Sequence, residues 1–385
     1  MHDLFTSWRT KVPVHPAGRG PARVVVNSLG SAGVGLIRSL RHVLPYSDAD
    51  IAALLFQAPS LLLAGLEPQP AEAIAGLLRE TGLDCAVLAP DATILEGVGD
   101  HEAALSVREV THIPALLLEV MQLLGVDLAT ARTLLCSSPA VLLGGISIAT
   151  VDALRARFTA LGADLDASRS ADARFDLFLG DCPAAIRDRA VDRLRAAVGP
   201  LAISAPHGPG PLVVPGLDVA AAGRVWHELR QCDVPARIVN RDFARYDVVL
   251  QAASDNAALR LHLTARAGMP AALVPRVLGK LPVVIHRNLR HAELAAVVAE
   301  LAEAGAEASA EPLAFQRFNL ALGEVRDVRP LVPVLSAVAG MDEAATLTAL
   351  RGRPPRLAGR FPPLQARWLQ HELRRVGVEA RMEAA

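Results

Sequence analysis

A chain of 385 residues with 39 basic and 40 acidic side chains carries a formal net charge of −1, so no global field draws it to nucleic acid or anionic lipid. Hydrophobic residues make up 52% of it and the mean hydropathy is +0.32. Much of that is alanine, a helix former that buries little surface, so the figure does not by itself imply a membrane. The most apolar stretches, 113–126 and 52–66, are too short to span a bilayer and contain Glu119 and Pro59.

In chain order, residues 1–21, with Pro13, Pro16, Gly18, Gly20 and Pro21, read as an irregular tail. Their opening, Met1-His2-Asp3-Leu4-Phe5, lacks the basic-then-apolar order of a secretory signal. From residue 22 the chain keeps a beat. A proline opening a short apolar run recurs at Pro59, Pro139, Pro211, Pro282 and Pro354, at intervals of 80, 72, 71 and 72 residues. A strand opening recurs as Arg174-Phe175-Asp176-Leu177-Phe178-Leu179, Arg245-Tyr246-Asp247-Val248-Val249-Leu250 and Arg317-Phe318-Asn319-Leu320-Ala321-Leu322. A break before a last strand falls at Gly82, Gly162, Asp233, Gly305 and Gly377.

Three independent markers on one period define a tandem array. The repeats run 22–90, 103–168, 173–241, 244–312 and 316–383. At about 70 residues each is near the lower size at which a domain folds unaided, so neighbours are expected to lend stability. About a dozen residues (Pro90–Glu102) separate the first two repeats, whereas Asn240–Ala244 and Glu311–Phe315 are very short. That contrast predicts repeats 3 to 5 held closely and repeat 1 more mobile.

Repeat 3 loses its second helix to Gly199-Pro200…His207-Gly208-Pro209-Gly210-Pro211, where glycine and proline forbid a regular helix. Repeat 4 reads most clearly. Tyr246–Leu250 alternates as a strand, and Asp255 and Asn256 cap a helix over 257–267. Gly268 ends that helix, and Pro270 opens a second one running to Leu281. A short strand follows over 282–287, then a helix over 291–304 with a stripe of Leu294, Val297, Val298 and Leu301. Gly305 closes it before a strand over 306–310. The fold class is therefore α+β: five tandem β-α-α-β-α-β repeats, each a small three-stranded sheet packed against helices.

This order and its markers resemble the C-terminal domain of the bacterial ribosomal stalk protein (L-seven/L-twelve), which shares a superfamily fold with the ClpS protease adaptor. The residues that carry the likeness are Phe175-Asp176-Leu177-Phe178-Leu179, Ala58-Pro59-Ser60-Leu61-Leu62 and Glu303-Ala304-Gly305-Ala306-Glu307. It extends over nearly the whole chain as five copies. The stalk domain grips translation GTPases through basic residues on its first helix. Only repeat 1 keeps that character, in Ile37-Arg38-Ser39-Leu40-Arg41, and its second helix carries Ser47-Asp48-Ala49-Asp50 where the family is basic. The corresponding first-helix positions are Leu118 and Met121 in repeat 2, Leu261 and Thr264 in repeat 4, and Pro333 and Ser336 in repeat 5. The stalk's dimerising N-terminal domain and hinge are missing. ClpS places an Asn-Asp pair after its first strand and a histidine on a later helix; repeat 1 offers Asn27 but Ser28, and no matching histidine.

A second basic cluster, Arg351, Arg353, Arg356 and Arg360, lies near the middle strand of repeat 5 and suits an acidic partner. It has no interleaved aromatics for stacking on bases. Gly30-Ser31-Ala32-Gly33-Val34-Gly35 joins a strand to a helix, where backbone amides can cradle phosphate, although the glycine order is not a dinucleotide fingerprint. His286 and His291 flank Arg287 and Arg290 without a metal-ligand spacing and read as exposed loop residues; His207 reads as surface. Trp226 and Trp368 fall on apolar stripes and read as core. Cys85, Cys136, Cys182 and Cys232 show no Cys-x-x-Cys spacing, which argues for buried thiols in a reducing compartment.

The resulting expectation is a cytoplasmic, non-enzymatic scaffold that binds proteins, with Arg38, Arg41, Arg351, Arg353, Arg356 and Arg360 as contact residues, no catalytic residues, metal or cofactor, and neither a membrane nor nucleic acid as partner. Linked modules raise effective concentration and turn weak contacts into avidity. A second reading is a ribosome- or translation-GTPase-associated protein acting through repeat 1. A third is a phosphate-ligand sensor or enzyme using the Gly30–Gly35 loop.

Overall fold

The computed structural model describes residues 18–179, 183–199, 212–231, 235–352 and 355–385. It is α+β, with five separate three-stranded antiparallel sheets. Repeat 1 contains β1 (Ala22–Ser28), α1 (Gly35–Arg41), α2 (Asp48–Phe56), β2 (Ser60–Leu66), α3 (Pro68–Glu80) and β3 (Asp84–Leu88). Repeat 2 contains β4 (His101–Val107), α4 (Ile113–Leu124), α5 (Leu128–Cys136), β5 (Ala140–Ile146), α6 (Ile148–Ala160) and β6 (Ala163–Arg169). Repeat 3 shows β7 (Phe175–Leu179), α7 (Ala184–Val198), β8 (Leu212–Leu217), α8 (Val219–Arg230) and β9 (Ala236–Asn240). Its degraded second-helix segment, 200–211, lies outside the described residues.

Repeat 4 contains β10 (Arg245–Ala253), α9 (Ala257–Leu261), α10 (Val274–Leu278), β11 (Val283–Arg290), α11 (His291–Glu303) and β12 (Ala306–Pro312). Repeat 5 contains β13 (Phe318–Leu322), α12 (Leu331–Ala339), α13 (Glu343–Leu350), β14 (Arg356–Phe361), α14 (Pro363–Arg375) and β15 (Ala380–Ala384). The chain divides into two compact bodies at Ala171/Asp172.

In every sheet the first strand of the repeat is central and the other two flank it. The opening and closing residues pair across it: Arg23 with Leu88, His101 with Arg169, Phe175 with Asn240, Tyr246 with Pro312 and Phe318 with Ala384. Each middle strand is kinked one residue before it meets the start of the first strand. The kinked residues are Gly65, Gly145, Gly216, Asn288 and Arg360, with φ of 76°, 70°, 69°, 59° and 47°. A left-handed residue at such a bulge is natural for glycine and tolerable for asparagine, whereas arginine there is uncommon. The third-helix breaks Gly82, Gly162, Gly305 and Gly377 also have positive φ, as a helix-terminating position prefers. The peptide before the marker proline is cis at Pro59, Pro139 and Pro282.

Apolar residues of the central strand and the third helix make the core of each repeat. In repeat 4, Val248 and Leu250 of β10 meet Leu259 and Leu263 from the first helix and Val297 and Leu301 from α11. Each fully buried side chain of this kind contributes about 1.5–3 kcal/mol. Trp368 is buried in repeat 5, but Trp226 is only half-buried; the apolar stripe of α8 is carried by Ala222, Val225 and Leu229 instead.

Two local readings need correction. The first helix of repeat 4 is α-helical only to Leu261 and continues as a π-helical turn over His262–Arg266. β11 reaches Arg290, so the segment read as a loop between His286 and His291 is strand followed directly by helix. Repeats 1 and 2 are bonded to each other directly. Gly97 donates its amide to the Pro59 carbonyl at 2.7 Å, Ser147 to Phe56 at 3.0 Å and Val34 to Leu123 at 3.3 Å. Thr150 adds a hydroxyl bond to the Phe56 carbonyl at 2.8 Å. Among the described residues, no single helix is long and apolar enough to cross a membrane.

Candidate interaction faces

Arg38 and Arg41 occupy the last turn of α1, where cations complement the helix dipole. Leu36, Ile37 and Leu40 of the same helix are buried, which turns both arginines outward. Arg41 is paired with Asp48 at 3.3 Å, both side chains at least half exposed; the acidic start of α2 therefore answers one of the two charges. At the position of Arg38, Leu118 on α4 and Leu261 on α9 are each 67% exposed. Pro333 on α12 is exposed as well, as are Ser336 and Arg38 itself, while Met121 and Thr264 are half-buried. One position in the fold thus presents a cation, two leucines and a proline to solvent in four repeats. A large exposed apolar side chain is common on any surface, but its recurrence at one position in two diverged copies is a pattern.

The described arginines of repeat 5 have different surroundings. Arg351 caps the end of α13 and is exposed, and Arg353 lies outside the described residues. Arg356 pairs with Glu383 at 2.9 Å. Arg360, at the bulge of β14, donates its backbone amide to Asn319 at 3.4 Å and leaves its side chain exposed.

The Gly30–Gly35 loop is a packing joint. Gly30 donates to the Ser28 hydroxyl at 3.3 Å. Ser31 donates to Gly82, Ala32 to Leu29 and Val34 to Leu123. Four of the six amides that would face a phosphate are therefore engaged. The Ala32 carbonyl accepts Arg157 at 2.8 Å, and a Cβ on Gly33 would lie 2.5 Å from the Gln122 carbonyl oxygen. The loop's glycines admit close backbone approach by repeat 2.

Sequence reasoning missed a histidine pair. His262, on the π-helical turn, is buried, and His286 of β11 is half-buried and not exposed. Their Nε2 atoms lie 2.9 Å apart with the rings edge-on. His262 Nδ1 lies 3.2 Å from Glu300 of α11, which also binds Arg266 at 2.6 Å. Glu300 fixes the tautomer: with Nδ1–H donated to the carboxylate, His262 Nε2 accepts from His286. Burial holds both imidazoles below their ordinary pKa, and the neighbouring imidazole adds to the effect on His286. The sequence reading left His286 in a loop, and the wider π turn that brings His262 inward has no signature in the residue pattern. His291 begins α11 half-buried, with Nδ1 3.3 Å from the Tyr246 hydroxyl. His207, Cys182 and Cys232 lie outside the described residues. Among the described residues, no group of three or more His, Cys, Asp and Glu side chains is placed to hold a metal ion.

No protein-family model matches the chain, and neither a curated protein nor a solved structure matches it.

Proposed function

We propose that this chain is a non-enzymatic protein-binding scaffold of the cytosol, assembled from repeats of the ribosomal-stalk C-terminal-domain kind. One observation carries the reading: the same exposed first-helix position holds Arg38, Leu118, Leu261 and Pro333 in different copies. A fold that keeps its core and bulge while the chemistry at one outward position diverges is suited to recognising several surfaces, with avidity from linkage. The β-α-α-β-α-β order in repeats 1, 2, 4 and 5 supports the stalk-like likeness, although fold alone does not confer function.

The test is affinity purification from native lysate after mild crosslinking, with Leu118→Glu, Leu261→Glu and the Arg38→Ala/Arg41→Ala pair run beside the unaltered protein. Selective loss of particular partners in particular variants is the expected result. A partner set that no variant changes sinks the proposal. A second reading, docking of a translation GTPase through repeat 1, is favoured by the exposure of Arg38 and Arg41 on one turn. It requires ribosomal or translation-factor peptides that disappear in the double-arginine variant and weaken with salt.

A further inference from the structure

In the body formed by repeats 3 to 5, three arginines lie near one another with no ion-paired carboxylate among the described residues. Arg237 lies in β9, Arg317 immediately precedes β13 and Arg360 lies in β14. Arg237 and Arg317 are both partly buried, and both donate through Nη1 to a single backbone oxygen, that of Ala314. Arg237 also stacks over the Phe315 ring, 5.4 Å from its centroid, and Arg317 donates to the Gln316 carbonyl at 2.6 Å. The two guanidinium groups are thereby held side by side, and Arg360 immediately precedes Phe361, the register partner of Phe318 that follows Arg317, with its charge acting on Arg317.

Among the described residues, none of the three side chains forms an ion pair. The contrast with Arg241 is direct: it follows β9 by one residue and is met by the buried Asp176 at 2.8 Å. The nearby carboxylate of Asp247 is engaged elsewhere, accepting from the Asn288 amide at 3.0 Å and the Gln316 amide at 3.5 Å. Burial pulls the pKa of both Arg237 and Arg317 down, and for Arg317 the charges of Arg237 and Arg360 pull in the same direction. Like charges held partly out of water without a counter-charge are unfavourable, and an arriving anion relieves that.

We propose that Arg237, Arg317 and Arg360 form a binding site for a phosphate group. A lone carboxylate would answer only one of three cations. A phosphate ester carries about −1.5 to −2 charges near neutral pH and offers three acceptor oxygens. A guanidinium has five donors in a planar fork that matches them, and among the described residues the hydrogen bonds that Arg237 and Arg317 donate run through Nη1. The group comes either as inorganic phosphate or on a phosphorylated side chain. The site is separate from the first-helix position on which the scaffold reading rests, so either can fail without the other.

Isothermal titration of the full chain with inorganic phosphate, O-phosphoserine and serine at low ionic strength tests it. The expected result is saturable binding of at least one phosphate probe, none of serine, and weakening as salt is raised. Arg360→Ala, which removes an exposed side chain and whose fold circular dichroism checks, should weaken binding about tenfold, and Arg317→Gln should weaken it further. A preference for O-phosphoserine assigns a phosphorylated side chain as the source, and equal or better binding of inorganic phosphate assigns the free ion. Absence of saturable binding by both probes overturns the site, as does an affinity that neither variant changes.

Discussion

The side chain of Asp247 accepts the backbone amide of Asn288 at 3.0 Å. Asp176 does the same for Gly216 at 2.9 Å, and Asn319 for Arg360 at 3.4 Å. In these three repeats the acceptor is the third residue of the strand opening, and the donor is the left-handed residue of the middle-strand bulge. In repeats 3 and 4 that amide is part-buried and would otherwise lack a partner, which explains why the aromatic-Asp/Asn step persists while surrounding residues drift.

Replacing the acceptor should therefore destabilise its own repeat. Asp247→Ala is expected to cost about 1–3 kcal/mol, with Asp247→Asn milder because an amide oxygen still accepts. Asp176→Ala should cost more, about 3–5 kcal/mol, since it also leaves Arg241 without its buried partner. Urea unfolding followed by circular dichroism checks the ranking; equal effects would show that the Arg241 pair contributes nothing.

The joint between repeats 1 and 2 makes a second prediction. Arg157 of α6 binds the Ala32 carbonyl and pairs with Glu119 of α4, their side chains only 13% and 17% exposed. Arg157→Ala should cost about 3 kcal/mol by stranding Glu119. Gly33→Ala should disrupt the same joint by steric contact with Gln122. Hydrogen exchange should then speed up at the Val34 and Ser147 amides, which bond across it; unchanged exchange there would contradict the assignment.

Repeat 4 should be acid-sensitive. His262, His286 and His291 all have pKa values pulled below the ordinary histidine value of about 6.5, each mainly by burial. Unfolding restores the ordinary value, so near and below that pH the unfolded chain binds more protons. The histidine contribution is complete above about pH 6.5 and is lost as pH falls through the depressed folded values. Denaturation midpoints between pH 8 and pH 5 should fall more in the unaltered protein than in a His262→Gln/His286→Gln variant. An identical pH dependence would remove the pair from the explanation.

Cys136, at the end of α5, is buried and its thiol is pushed up to about 12. Cys85 is also buried and raised, chiefly by desolvation. Because the thiolate is the nucleophile, iodoacetamide at pH 8 should spare both cysteines in the folded protein and modify both in denaturant, as read by peptide mass spectrometry. Rapid native modification of Cys136 would mean that α5 opens readily.

The repeat architecture was legible because marker residues answer to local rules. Gly82, Gly162, Gly305 and Gly377 terminate helices in a conformation that glycine adopts without strain, so their spacing reports the fold directly. The stripe of α11 was legible in the same way through Val297 and Leu301. What escaped depends on contacts between distant segments. Nothing in the residues around His262 signals a π-helical turn, and His286 looked like a loop residue because β11 continues past its bulge at Asn288. Arg360 was singled out for its neighbours in sequence, Arg351, Arg353 and Arg356. Its charge acts instead on Arg317, at the start of the same repeat, which also feels Arg237 from repeat 3. The Gly30–Gly35 loop, read mainly as a structural connection with a phosphate cradle as the alternative, shows why both were open: glycines that suit a ligand's approach equally suit the approach of another stretch of the same backbone.

In every repeat the opening residue of the central strand lies beside the closing residue of the last one, as Tyr246 lies beside Pro312 and Phe318 beside Ala384. A segment whose ends meet can be excised or copied in line without threading the chain through itself, which is why compact modules with adjacent termini tolerate insertion. Gene duplication then needs only a few connecting residues per copy, and the number of copies becomes a quantity that evolution can change in whole steps.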